Sequence, residues 1–259
     1  MIIINKIPDD LIPEIRNLFR DHLHYDLMVE AILEGQTGQK IKIKLDNDIS
    51  PKTVQLIRYG FTIFAGDTQT QAAKEMMENL PTNYFIMPSG QKWFELAKSI
   101  YNDRLKSRTR YSFSSKEILQ ENIELMIESH PQKDICRLIT LDEAQEMANH
   151  KINKLHLMNF NSPEHFIREG FGYRVSKEGE IVAACTTTLV YSKGVEVNVI
   201  TLPEYRQKGY AFLCALKFLR HCLQNNLYAN WDASDEMSVD LAKKLGYSMT
   251  EEYNVYYID

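Results

Sequence analysis

The sequence predicts an α/β protein with a mixed α+β sheet, and three observations carry that reading. From about residue 130 onward, strand-like and helix-like runs alternate regularly. A long amphipathic stretch, about Lys208 to Asn225, follows directly on a strand and a Gly-containing turn. The 259 residues, 44% apolar and 25% charged, suffice for a sizeable core and for two domains of ordinary composition.

In the C-terminal half, Ile135 to Thr140 reads as a strand and Leu141 to His150 as a helix. Ser162-Pro163-Glu164 has the form of a cap opening a short helix. Strands follow at Phe171 to Ser176, Ile181 to Val190 and Val195 to Ile200, separated by turns at Lys177-Glu178-Gly179-Glu180 and Ser192-Lys193-Gly194. The long helix carries Phe212, Leu216, Leu219 and Leu223 as its core stripe. Leu227 to Ala233 is a strand, Ser234 is expected to cap the next helix, and Gly246 to stop it. From Tyr247 the chain alternates into a last strand pair.

The N-terminal half reads as mixed α/β. Helices are expected at Leu11 to His22, Met28 to Leu33, Gln71 to Asn79 and Lys92 to Tyr101, and strands at Lys40 to Leu45, Gly60 to Phe64 and Tyr84 to Met87. The junction is expected between Ser112 and Gln132, bridged by a helix from Lys116 to Glu128. This gives a domain of residues 1–125 and a second of residues 126–259.

Composition narrows the function. A net charge of −5 argues against nucleic acid as a main partner. No stretch approaches the roughly 20 apolar residues of a membrane span, and Met1 to Ile4 is too short for a signal peptide. Cys136, Cys185, Cys214 and Cys222 form no C-x-x-C pair, so buried free thiols in a reducing, cytoplasmic setting are expected. The histidines lack metal-ligand spacing. His22 and His24 come nearest, two apart on a helix-like run where such residues diverge, so no metal is expected.

The stretch Thr201-Leu202-Pro203-Glu204-Tyr205-Arg206-Gln207-Lys208-Gly209-Tyr210-Ala211 joins a strand to the long helix. A helix start leaves backbone N–H groups unpaired, and its dipole favours an anion there. Gly209 and Ala211 keep the turn thin, while Arg206 and Lys208 add positive charge. Arg206-Gln207-Lys208-Gly209-Tyr210-Ala211 resembles the (Q/R)-x-x-G-x-(G/A) pyrophosphate loop of the GNAT N-acyltransferases, and the Thr-x-Pro-x-Tyr before it matches that family's strand-to-loop approach. The resemblance covers about residues 130–259 and implies the order β-α-α-β-β-β-α-β-α-β-β. The whole chain resembles a two-part GNAT subfamily that includes zwittermicin-resistance acetyltransferases. Trp231-Asp232-Ala233, Leu241-Ala242-Lys243-Lys244-Leu245-Gly246-Tyr247 and Lys106-Ser107-Arg108-Thr109-Arg110-Tyr111 carry that wider match.

The resemblance implies acetyl-CoA as co-substrate, an amine acceptor, direct transfer and no metal; a homodimer is left open. The backbone of Arg206, Gln207, Lys208, Gly209, Tyr210 and Ala211 would form the cradle, with Ile200, Thr201 and Leu202 as the strand edge for the pantetheine amides. Asp235 stands where the family usually has Asn, and an ionised carboxylate only accepts hydrogen bonds. Ser238 could supply a donor; the other reading makes both residues helix caps. In Val195-Glu196-Val197-Asn198-Val199-Ile200, alternation puts the valines on one face and Glu196, Asn198 and Ile200 on the other. Glu196 is the candidate base and Asn198 the candidate orienting group, the alternative being a solvated or ion-paired glutamate. The family's usual general-acid tyrosine is replaced by Ala242; Tyr210, Tyr247, Tyr253 and Tyr256 are more naturally packing residues. Arg104, Lys106, Arg108 and Arg110 make either a solvated face or a patch for an anionic substrate or the CoA 3′-phosphate. Two rival functions stay open: a non-catalytic acyl-CoA sensor and a protein-modifying acetyltransferase.

Overall fold

The computed structural model describes residues 1–20, 26–35, 41–58 and 60–259. The chain divides into two compact units. One comprises Met1–Gly35, Gln39–Arg110 and Glu252–Asp259; the other is made chiefly of Tyr111–Glu251. Among the described residues no helix is long and apolar enough to cross a membrane.

In the first unit β1 (Ile2–Ile4), β2 (Lys42–Leu45), β3 (Thr53–Arg58), β4 (Phe61–Gly66) and β5 (Phe85–Pro88) stand side by side in chain order. The end of β12 (Ser248–Ile258) adds to β5, with Tyr256 opposite Ile86. Neighbours are antiparallel except β4 and β5, which are parallel and so require the crossover helix α3 (Gln71–Glu78). Thr70 caps α3, its hydroxyl accepting from the Ala73 N–H at 3.0 Å. One face of this sheet packs against α1 (Ile12–Leu18) and α2 (Asp26–Leu33) through Ile15, Val29, Ile32, Val54 and Leu56. The other packs against α3 and α4 (Gln91–Tyr101), where Trp93 lies 4.9 Å from Phe64 and donates to the Gly66 carbonyl at 3.1 Å.

In the second unit the strand order is the end of β6 (Leu105–Ser114, from Tyr111 onward), β11 (Tyr228–Ala233), β10 (Gly194–Thr201), β9 (Glu180–Tyr191), β8 (Gly172–Lys177) and β7 (Cys136–Leu138). Only β10 and β11 are parallel, joined by α8 (Tyr210–Gln224). One face carries α5 (Gln120–Ser129), α8 and α9 (Glu236–Lys244) over a core that includes Val195, Leu213, Leu216, Phe218 and Leu219. The other carries α6 (Leu141–Asn149) and α7 (Pro163–Glu169) over Ala144, Met147, Phe166 and Ala184. Thr140 and Glu143 close α6 with a reciprocal capping box, and Ser162 caps α7 as expected. All four cysteines are free and buried.

The expected alternation holds through both units, with four corrections. Asp235, not Ser234, caps α9: its carboxylate accepts from the Ser238 N–H at 2.9 Å. The end of the chain is one long strand, β12, and not a pair. The bridging helix starts at Gln120, because Ser115 closes a turn with the Ile118 N–H first. The sequence reading also missed β1 and β3. In β3 both faces are covered, so Thr53, Gln55 and Arg58 are buried like the apolar residues between them and no core-versus-solvent alternation marks the strand. His22, His24 and Lys40 lie outside the described residues.

Candidate active site

β10 is paired along its whole length with β9, from Gly194 opposite Tyr191 to Thr201 opposite Ala183. Its other edge is paired with β11 only from Gly194 to Glu196. Glu196 opposite Asn230 is the last rung; β11 then continues with β6 through Trp231, Asp232 and Ala233. The two central strands therefore part after Glu196. At the same level β9 carries one extra residue: Leu189 faces Glu196 and Thr187 faces Val197, leaving Thr188 as a bulge. A bulge raises local twist and re-aims a strand, which fits parting strands at this point.

Opening the ladder exposes backbone groups. The Leu202 N–H donates to the Val182 carbonyl at 2.9 Å, so Leu202 and, by alternation, Ile200 turn their amides toward β9. The amides of Val199 and Thr201 face the open edge. The Thr201 carbonyl there accepts from Arg206 Nε at 3.3 Å, and the Thr201 hydroxyl is buried with no partner.

From Thr201 the chain passes through a 3-10 turn, Pro203–Tyr205, and two left-handed residues, Gln207 at φ +60° and Gly209 at φ +79°. Gly209 is the N-cap of α8 and carries no side-chain cap, so the first turn of the helix presents its N–H groups outward. Three cations surround this turn. Arg206 braces the end of β10, Lys208 Nζ lies 4.8 Å above the Tyr205 ring, and Lys177 Nζ lies 5.6 Å above the Tyr210 ring. A Cβ on Gly209 would stand 3.5 Å from His130 Nε2, so the imidazole borders the cradle. His130 Nδ1 accepts from the Gln132 N–H, and burial lowers the imidazole's pKa.

Glu196, at the vertex of the split, is half-buried and accepts from Asn230 Nδ2 at 2.5 Å. Val195, Val197 and Val199 pack toward α8, which leaves Glu196 and Asn198 on the opposite face as expected. Asn198 Nδ2 donates to the Leu155 carbonyl at 3.3 Å, so it ties the 3-10 turn Asn153–His156 to the strand. Asp235 and Ser238 are both engaged near α9: Ser238 Oγ accepts from Trp231 Nε1 at 3.1 Å. Ala242 is fully buried. The Tyr247 hydroxyl is buried and unpartnered beside Trp231, and burial holds it protonated far above the usual phenol range.

The same turn seals His156 against β9, its Nδ1 sharing a hydrogen bond with Thr186 Oγ1 at 2.8 Å. Burial pushes its pKa from 6.5 down to about 3. The unfolded chain therefore binds more protons between those values, so this contribution to stability is complete above about pH 6.5 and lost as pH falls toward 3. The expected slope from this group is ~1.4 kcal/mol per pH unit. His156→Gln should flatten that part of the profile in urea unfolding between pH 6.5 and 4; an unchanged slope would remove His156 as its source.

The arrangement offers a carboxylate at a strand split, an open backbone edge, and a cation-ringed helix start. Among the described residues no group of histidine, cysteine or carboxylate side chains is placed to hold a metal. The loop and Glu196 were legible as sequence. Asn230, Lys177 and His130 were not, since each reaches the site from another element.

A family model described as GNAT acetyltransferase matches residues 16–256. The uncharacterized N-acetyltransferase YdfB of Bacillus subtilis (strain 168) is 28% identical over 178 residues, spanning 67% of this chain and 66% of that protein, just under two thirds of its length. The crystal structure of a GCN5-related N-acetyltransferase-like protein from Streptococcus suis 89/1591 matches with a TM-score of 0.79 and 26% identity, over 96% of this chain and 99% of that one. A GNAT-family acetyltransferase from Colwellia psychrerythraea has the same fold, with a TM-score of 0.54 and 11% identity over 100% of this chain and 99% of that one.

Proposed function

The chain belongs to the GNAT acetyltransferase family, and on that premise we propose that it transfers an acetyl group from acetyl-CoA directly to a primary amine of a small molecule. The observation that carries this reading is the parting of β10 and β11 after Glu196, directly before the cation-ringed start of α8.

Acetyl-CoA supplies a thioester, an acyl group already activated for attack by an amine. The residues present fit such a molecule: Gly209 takes up the left-handed turn at φ +79° without a side chain, the helix start has no side-chain cap, and the Thr201 hydroxyl lacks a partner. The N–H groups of Gly209, Tyr210 and Ala211 would hold the diphosphate, with Arg206, Lys208 and Lys177 balancing its charge. The open edge at Val199 and Thr201 would bond the amides of the pantetheine arm. Glu196, steadied by Asn230, would take the proton of the attacking amine as the C–N bond forms and the thioester C–S bond breaks, the thiolate leaving to be protonated by solvent. The site's main contribution is to hold two reactants in attack geometry.

Four buried unbridged thiols support a reducing, cytoplasmic setting. A second reading, a non-catalytic acyl-CoA binder, draws on Ala242 and on the engagement of Asp235 and Ser238. Calorimetric titration with acetyl-CoA and CoA, followed by thiol release across an amine panel, tests both. Micromolar binding with turnover is expected. Binding without turnover would favour the second reading, and no binding by the folded protein would overturn both.

A further inference from the structure

α5 ends at His130, whose N–H closes the helix on the Ile127 carbonyl at 3.1 Å. The chain then turns back on the imidazole. The Gln132 N–H donates to His130 Nδ1 at 3.2 Å, and the Lys133 N–H donates to the His130 carbonyl at 3.1 Å. A backbone N–H only donates, so Nδ1 is the unprotonated nitrogen of the ring. The neutral imidazole therefore carries its proton on Nε2. Burial, which lowers the imidazole's pKa, favours that neutral form.

The Nε2 edge of the ring borders the cradle. Outside the glycine's own neighbours in the chain, Nε2 is the one described atom within 4 Å of the place a Cβ on Gly209 would take, at 3.5 Å. A Cα–Cβ bond is about 1.5 Å long, so Nε2 stands within about 5 Å of the Gly209 Cα. The Phe212 ring, in the first turn of α8, lies 6.5 Å from the imidazole. Among the described residues nothing accepts from Nε2, and unlike His156 Nε2 it is not sealed from solvent. A fixed N–H donor without an acceptor thus stands at the edge of a helix start that itself offers uncapped N–H groups.

We propose that His130 is a further cofactor-binding residue, whose Nε2–H donates to an oxygen of the CoA diphosphate at the start of α8. The inference rests on the acetyl-CoA reading of this site. Lys208 and Lys177 draw the diphosphate by charge, from long and flexible side chains. His130 adds a neutral donor whose direction the Gln132 N–H has already set, so little freedom is lost when the ligand arrives. A hydrogen bond to an ionised oxygen is also roughly twice as strong as one between neutral groups. The donor comes from the end of α5, outside the strand-to-helix loop, so the pattern of that loop does not contain it.

The test is calorimetric titration of the full chain with CoA and with 3′-dephospho-CoA, which keeps the diphosphate and lacks the 3′-phosphate. His130→Ala should weaken both ligands about tenfold. His130→Gln, whose side-chain amide offers an N–H near the Nε2 position, should bind both within about threefold of the parent. In the parent, with isotope-labelled histidine, the His130 Nε2 resonance should move on saturation with CoA while Nδ1 keeps the shift of an unprotonated nitrogen. Parental affinity in His130→Ala, a loss seen with CoA but not with 3′-dephospho-CoA, no rescue by His130→Gln, or an Nε2 resonance unmoved by CoA would each overturn the proposal and leave the acetyl-CoA reading standing. A folded parent that binds neither ligand would overturn that reading and this proposal with it. The parent's own resonance decides the matter even if neither variant folds.

Discussion

Gly209→Val is expected to lower acetyl-CoA affinity by at least about 100-fold while far-UV circular dichroism stays that of the parent. Gly209 sits at φ +79°, where an L-residue is strained and a β-branched one most of all. Its Cβ position is bordered by His130 Nε2 at 3.5 Å, so a single methyl is tolerated sterically but the two γ carbons of valine must turn against the imidazole or into the cradle. Either choice thickens a turn whose use requires close approach to backbone N–H groups. The strain also weakens the start of α8, by about 1–2 kcal/mol. Gly209→Ala separates the two effects: it carries strain but little bulk, so it should lower the melting temperature comparably and affinity far less. Undiminished affinity in the valine variant would remove this loop from the cofactor site.

Glu196→Gln is expected to reduce kcat by about 10²–10⁴ with acetyl-CoA affinity within about twofold of the parent. The substitution keeps a side-chain oxygen that can accept from Asn230, so the last rung between β10 and β11 survives while proton-accepting capacity is lost. Asn230→Ala is the companion measurement. It leaves the carboxylate but releases its orientation, and should reduce kcat less than Glu196→Gln does. Turnover by Glu196→Gln equal to the parent's across pH would exclude Glu196 as the base.

Much of this was legible in the sequence because the signals are local. Leu216 and Leu219 of the α8 stripe, the Ser162 cap, the Gly246 stop and the turn through Gly209 each depend on a few neighbouring residues, and each stands in the structure, while Phe212 and Leu223 lie half-buried at the flanks of that stripe. Gly246, at φ +92°, donates to the Lys243 carbonyl while Tyr247 donates to that of Ala242, the paired closure a glycine after a helix permits. What escaped the reading is set by distant parts of the chain. Asn230 meets Glu196 only because β11 lies parallel to β10, and Lys177 reaches the Tyr210 ring from the end of β8. β3 hid for a different reason: a strand covered on both faces carries no polar alternation, and its Gln55 and Arg58 are buried although such side chains are ordinarily exposed. The choice between Ser234 and Asp235 as cap turned on one residue of register that either side chain could chemically satisfy.

The first unit is not a continuous length of chain: Glu252–Asp259 belong to it together with residues before Arg110. Val255 is fully buried in the core under α1 and α2, Ile258 in the core under α3 and α4, and the Asp259 N–H bonds to the Arg104 carbonyl at 2.9 Å. A ribosome adding about 5–20 residues per second delivers those last residues roughly 140 residues after Arg110, about 7–28 s later. Until then the nascent chain carries an unfilled place beside β5, with apolar side chains and strand hydrogen-bonding groups uncovered. The order of synthesis thus leaves the unit that holds residues 1–35 incomplete until the whole of Tyr111–Glu251 has been made.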